Sequence, residues 1–544
     1  MYIVIREKWG GAKMLDRRQV LGSLAGVVAS SALPLGLMSL GSSAFAQGAV
    51  VAGGTLNVGL HIPLSTLDWQ STVSHPLPHV MGHVFEGLYG FGKDFNAAPE
   101  LAESVEATPD GLVWTFKLRP GVLFHNGDTV DSGDVKASLE RWKTVGPKGA
   151  GLASLTSIET PDPTTVVLNF SETMGRFLLL MLGSDENKFV VMPKEIAEAS
   201  TTPGQLTEVV GTGPYKFVEY QEDQYVKLAK FAEYVGRDDA PNYQAGKKVA
   251  NVDEIIFWIV TESTTRIAGL ESGEYDIVTE VPDTEYQRLN ASADIDAIKN
   301  GPGVLMYMMF NHKKGPTANL AMRKAIQSLI DPLEIASVAV SDPAFALTNA
   351  SIYAPESAYN TDAGSDLFTP GDVEAAKGYL AEGGYAGETV TIQVISGNDL
   401  QEKVAVVLVE QATRAGLNLK IETYDLNTWV ARRRDPDALN IYTSGGYWVD
   451  PSLWQAEFNG TFPSPEVGFI SDETQEIFAK LAAATEFDVR KKLGEDLQRS
   501  FISQVAMVNL GYTYRLVAKR KVVLDPDNNL SLGNLTLHGV GFAG

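Results

Sequence analysis

Period-two alternation recurs along this 544-residue chain, and each occurrence reads as a half-buried strand. Leu56, Val58 and Leu60 alternate with small or polar neighbours. Trp114, Phe116 and Leu118 do the same, as do Val390, Ile392 and Val394. Strands are expected at 55–60, 113–118, 165–170, 211–220, 225–231, 254–260, 276–279, 389–395 and 418–423. Elsewhere the apolar spacing is helical, as in Met322, Ala325, Ile326 and Leu329. Helices are expected at 80–89, 134–142, 175–182, 263–272, 320–329, 370–382, 400–415, 472–485 and 488–503. Asp131-Ser132 offers an N-cap to the second of these. Two extended apolar runs, 304–311 and 506–512, read as crossovers. The strand–helix–strand order over 389–423 predicts α/β packing.

Composition narrows the class. The length allows several cores, and 44% hydrophobic with 20% charged residues describes a globular chain. The formal net charge of −23 argues against nucleic-acid and anionic-lipid partners. There is no cysteine, which excludes disulfides, thiolate metal sites, cysteine nucleophiles and a cysteine-linked lipid anchor.

Residues 1–46 read as an export signal that is removed. Arg17-Arg18 precede an apolar stretch diluted by glycines, serines and Pro34, and Ala44-Phe45-Ala46 offers a cleavage site. Asp16-Arg17-Arg18-Gln19-Val20-Leu21 resembles a twin-arginine motif. An ordinary secretory signal is the alternative. Met14 is a second candidate start. The mature protein is expected free in the periplasm.

Several motifs occur in a fixed order. Leu101 to Ser104, Asp110-Gly111, Thr115-Phe116, Leu118-Arg119, Phe124-His125, Gly127, and Asp134-Val135 with Ser138 form the first block. Gly211-Thr212-Gly213-Pro214-Tyr215 follows, then Val252 to Ile255, and Leu270 to Asp276. Phe310-Asn311, Met322 to Ile326, Ile330-Asp331, and Ala376 to Tyr385 complete the series. Together they resemble the family 5 solute-binding proteins of ABC importers, the peptide- and nickel-binding group. Most of these residues are turn and core types, so they speak to fold more than to ligand.

The resemblance implies a two-lobed α/β binding fold with mixed sheets, a hinged cleft and an inserted subdomain. Lobe one would comprise 47–95, 210–303 and 507–544, the inserted subdomain 96–209, and lobe two 304–506. The expected function is capture of peptides or a similar small polar solute for a membrane permease and its ATPase subunits. The chain would act as a monomer, without bond chemistry and without a cofactor. Cleft residues implied by position are Thr72, Val73 and Ser74, then Thr279, Glu280 and Val281. Trp429 and Arg432, beside Arg433 and Arg434, fall near the family's ligand-carboxylate arginine region. Gly446, Tyr447, Trp448 and Asp450 align with its glycine–aromatic loop, and Tyr512 lies on the second crossover. That loop is three residues shorter here, and the aspartate that pairs with a peptide ammonium is missing.

Two other readings stay open on sequence. A secreted hydrolase could use paired carboxylates, although no spacing singles out such a pair. A sensor or chaperone could use the same fold. His75, His79 and His83 recur every fourth residue, as metal ligands on a helix would. Pro76 and Pro78 bias the backbone away from helix, so only His79 and His83 are expected to share a face, and no metal is assigned.

Overall fold

A computed structural model describes residues 49–73, 76–183, 188–368, 370–433, 435–454 and 471–544. Its backbone is one long mixed sheet. From one edge to the other the strands are Leu419–Tyr424, Val390–Ile395, Ile441–Gly446, Ile295–Phe310, Met507–Arg520, Ile277–Val278, Thr55–Leu60, Glu254–Ile259, Tyr225–Lys230 and Tyr215–Gln221. A short strand, Ala346–Leu347, also pairs with Met507–Arg520.

The two central strands carry the architecture. They run antiparallel from Ile295↔Arg520 to Met309↔Met507. Near one end, Val517 belongs to a core with Leu56, Val58, Ile255 and Phe257. Near the other, Met306, Met308, Phe310, Val508 and Leu510 belong to a second core with Ile326, Ile392 and Leu408. One strand pair therefore serves two lobes. Between the cores the register shifts at Asn300/Val304 and Met306/Tyr307. Alternation alone predicted only 304–311 and 506–512, because Gly301-Pro302-Gly303 looks like a strand end. Here it sits at a register shift that does not end the strand.

A separate antiparallel sheet follows the order Ala102–Ala107, Val113–Leu118, Thr165–Phe170, Leu155–Asp162. Val135, Leu139 and Trp142 of helix Ser132–Val145 pack with Trp114, Phe116 and Leu168 of that sheet. The helix starts in a capping box: Asp131 accepts from the Gly133 and Asp134 amides, and Asp134 accepts from the Asp131 amide.

The motif residues turn out to touch one another. The His125 amide donates to the Gly211 carbonyl, its Nδ1 accepts from the Gly211 amide, and its Nε2 lies 2.9 Å from the Gly213 carbonyl. Gly211 and Gly213 run so close to the His83–Val84 backbone that a Cβ at either would clash.

The expected helix over 80–89 is a correction. Only Leu77–Met81 is helical, and a strand, Tyr89–Phe91, follows. The chain turns at Gly82 and passes Gly87, whose Cβ position falls against the Phe189 carbonyl. A buried ionic cluster sits at this crossing. Lys248 Nζ lies 2.9 Å from Glu86 and 2.7 Å from Glu100, and Lys188 lies 3.0 Å from Glu100. Burial of charge is tolerated here because each ion faces its opposite.

Candidate functional site

Strands Thr55–Leu60 and Ile277–Val278 are parallel neighbours, with Ile277↔Val58 and Val278↔Gly59 in register. Their carboxyl ends release His61 on one side and Thr279-Glu280 on the other. Such ends in α/β sheets are where ligands collect. The His61 ring nitrogen Nδ1 lies 3.3 Å from Thr279 Oγ1.

Glu280 adopts a left-handed conformation, φ 46°, which a non-glycine residue holds only under outside restraint. Arg266 supplies the restraint. Its guanidinium donates to the carbonyls of Val260, Thr261, Thr279 and Glu280 at 2.6, 2.7, 3.2 and 2.9 Å. The Glu280 carboxylate thus projects from a fixed turn. Its Oε1 lies 3.2 Å from Arg515 Nη1, on the crossover strand, and both side chains are about one-third exposed. The Arg515 guanidinium carbon is 5.5 Å from the centre of the Tyr447 ring. Tyr447 directly follows strand Ile441–Gly446, so three segments meet at one point: the ends of the first lobe's strands, the crossover, and the second lobe's loop. Burial, then Arg266 and Arg515, push the His61 pKa down to about 4, so this imidazole is neutral at pH 7.

Other expected site residues are engaged elsewhere. Asp450 is buried, its Oδ1 2.7 Å from Arg490 Nη2 and 2.8 Å from the Ser452 amide. Arg490 also reaches Ser452, Tyr359 and the Leu481 carbonyl. This carboxylate is engaged by Arg490 and Ser452 within the surrounding packing. Tyr512 is a second correction: it is fully buried, with its hydroxyl 2.7 and 2.8 Å from the Ser351 and Tyr353 carbonyls. Trp429 is buried edge-on against Tyr442 and donates to the Gln393 carbonyl. Arg432 stacks on Tyr424, pairs with Glu422 at 3.3 Å and donates to the Ala438 carbonyl. Val281 is buried and its amide donates to Leu516.

The two loop aromatics divide. Trp448 stacks on Trp454 at 3.8 Å and meets Tyr307 edge-on, deep in the core of lobe two. Its Nε1 sits 3.3 Å from where a Gly446 Cβ would be, so Gly446 gives the indole its space. Tyr447 points the other way, toward Arg515. Thr72 is half-buried and Val73 is 55% exposed. Ser74, His75 and Arg434 lie outside the described residues.

The histidines hold the C-terminal segment. His79 Nδ1 accepts from the Leu535 amide and His83 Nε2 from the Leu537 amide, each at 2.9 Å. The other nitrogen of His83 lies 3.3 Å from the Val80 carbonyl. Among the described residues, no group of three His, Asp or Glu side chains is placed to hold a metal ion. A nearby cavity bounded by Trp69, Lys188, Glu100 and His538 has about 10 Å³, room for about one water and no solute.

Sequence reasoning missed His61, Arg266 and Arg515. Arg515 lies beyond the apolar run 506–512, on a strand that also carries Lys519 and Arg520, so no sequence signal singled it out. Arg266 carried none, because its role depends on carbonyls from two other loops.

The model of the bacterial extracellular solute-binding proteins, family 5, matches residues 96–462. The chain belongs to this family. Among similar proteins, "Probable peptide ABC transporter periplasmic-binding protein y4tO" of Sinorhizobium fredii is 26% identical over 511 residues, covering 90% of this chain and 93% of the relative. The glutathione-binding protein GsiB of Escherichia coli K12 is 25% identical, covering 72% and 73%. The binding protein AgaA of A. tumefaciens R10, solved with agropinic acid, has TM-score 0.68 at 26% identity, covering 90% of this chain and 99% of that one. CtaP of Listeria monocytogenes superposes with TM-score 0.77 at 20% identity, over 91% of this chain and 100% of CtaP, and that likeness speaks to the fold alone. This family 5 chain therefore has the two-lobed α/β solute-binding fold.

Proposed function

We propose that the chain is the exported capture component of an ABC importer, taking peptides or a similar small polar solute between its lobes. It delivers that solute to a membrane permease driven by ATPase subunits, acting as a monomer in the periplasm. The carrying observation is the meeting of Glu280 and Arg515, at the strand ends and crossover, with Tyr447 of the loop after Ile441–Gly446, in a chain of family 5. A site at the crossover between two lobes suits capture by closure.

The proposed division gives lobe one 47–95, 210–303 and 507–544, the inserted subdomain 96–209 and lobe two 304–506, although Val508, Leu510 and Tyr512 of the crossover pack with residues of 304–506. The sharing of the central strand pair between two cores supports a hinge within 300–306 and 511–515. Residues 1–46 would be an export signal using Arg17-Arg18, and they lie outside the described residues. The Arg17→Lys, Arg18→Lys double variant would then accumulate in the cytoplasm.

Calorimetric titration with a dipeptide panel, glutathione and a sugar panel tests the solute class. Binding of peptides or glutathione supports the reading. Heat from sugars alone would remove peptides from it.

A further inference from the structure

Region 96–209 is joined to its two neighbours in different ways. Toward 47–95 and 210–303 the ties are polar, charged and buried. Arg141, on helix Ser132–Val145, donates to Asp68 Oδ2 at 2.6 Å, to Asp68 Oδ1 at 3.0 Å and to Gln70 Oε1 at 2.9 Å. Gln70 in turn donates to the carbonyls of Ser138 and Val190. Lys248 pairs with Glu100 across the same boundary. Parting such groups would strand buried charge, so this region moves with the first lobe.

Toward 304–506 the contact is backbone and apolar. Gly175 and Arg176 lie just before helix Phe177–Gly183 and meet the carboxyl end of helix Asp472–Ala483. The last carbonyls of a helix have no partner within it, and here one is met from outside. The Arg176 amide donates to the Ala484 carbonyl at 3.1 Å. A Cβ on Gly175 would clash with the Ala482 carbonyl oxygen and come within 3.1 Å of that of Ala484. The φ of Gly175 is not positive, so it is this close approach that calls for glycine. Beside it, Phe95, Leu180 and Tyr243 share an apolar cluster with Ala354 and Val449. Val449 stands two positions after Tyr447, so the cluster backs the loop that carries the ring of the candidate site. A second backbone bond crosses between the same bodies, from the Ala358 amide to the Asp94 carbonyl at 2.8 Å. Neutral backbone bonds and an apolar patch part and re-form at far lower cost than a buried ion pair.

Building on the solute-capture reading and its division into lobes, we propose that this contact is a latch on the cleft. It holds the lobes in the arrangement described, and their separation to admit a solute breaks the Arg176–Ala484 and Ala358–Asp94 bonds together. Gly175 is the residue that lets the latch seat. The inserted subdomain thereby sets how often the cleft opens, without touching the solute.

Hydrogen exchange on the full mature chain, with no solute added, tests the latch independently of what the protein carries. In the wild type the Arg176 and Ala358 amides should be protected to the same degree. Both should exchange faster than the core of helix Ser132–Val145, through an opening that urea accelerates less than it does global unfolding. Gly175→Ala should speed both amides about tenfold and leave that helix nearly unchanged. Acceleration at Ala358, in a segment away from the substitution, is what a loosened latch predicts and a frayed loop does not. Exchange of Arg176 as slow as the helix core would show fixed packing and overturn the proposal. So would an unprotected Arg176 amide, unequal protection of the two amides, or a Gly175→Ala effect confined to Arg176 or absent. If the variant does not fold, the wild-type comparison alone decides. A panel in which no solute binds would remove the capture reading and leave these exchange results standing.

Discussion

Arg490 donates a 2.7 Å hydrogen bond to Asp450, with both side chains buried inside lobe two. The pair makes Asp450 a structural residue although it stands in the loop where a ligand partner was expected. Asp450→Asn leaves the guanidinium without its counter-charge and should cost about 3–5 kcal/mol of stability. Urea denaturation measures this. A variant of normal stability that has lost solute binding would return Asp450 to the site.

Tyr447 and Trp448 are adjacent in sequence and opposite in role. Tyr447→Ala should weaken solute binding by roughly 1–3 kcal/mol while the fold survives. Trp448→Ala removes a ring stacked on Trp454 and should cost about 3–5 kcal/mol of stability. Paired melting and calorimetry separate them. The reverse pattern would assign the aromatic wall to Trp448.

His83, His125 and His312 are buried and neutral, with burial as the main cause, and their pKa values are lowered from 6.5 to about 4, 4 and 3. The unfolded chain binds these protons more readily than the folded one. Their contribution is therefore complete above pH 6.5 and is lost as pH falls from there toward the folded values. Each should cost up to about 1.4 kcal/mol per pH unit in that window. Denaturation midpoints measured near pH 7 and near pH 5 should differ accordingly. Equal midpoints would show that these rings are protonated in the folded state.

Replacing His83 by Ala leaves the buried Leu537 amide without its acceptor, at about 1–3 kcal/mol. Hydrogen exchange should then speed up at residues 535–540. A nickel-dependent rise in melting temperature, present in wild type and absent in the variant, would argue for metal at this position instead.

Solute at 100 times its dissociation constant should stabilise the folded state by about 2.7 kcal/mol. If closure occurs at the central strand pair, the radius of gyration from small-angle scattering should fall on binding. A bound solute that leaves the radius unchanged would place capture in a rigid cleft.

Much of the fold was legible in the residues themselves. Thr55–Leu60, Thr165–Phe170, Ser263–Ser272 and Leu320–Leu329 lie where periodicity put them, because burial on one face writes its period into the sequence. The Asp131 cap was readable because capping chemistry is local. The ordered motifs carried the family, since they are turn and packing residues that the fold needs in place.

What tertiary structure decided is which of the candidate polar and aromatic residues are buried among other partners. Asp450 and Tyr512 looked available in sequence and are buried among partners 40 or more residues away: Arg490 for the first, Ser351 and Tyr353 for the second. Arg515 was not singled out in sequence and meets Glu280 and Tyr447 from two other segments. Periodicity is set by neighbours a few positions apart. The direction of a side chain near a hinge is set by register shifts and by contacts between distant segments, which leave no period to read.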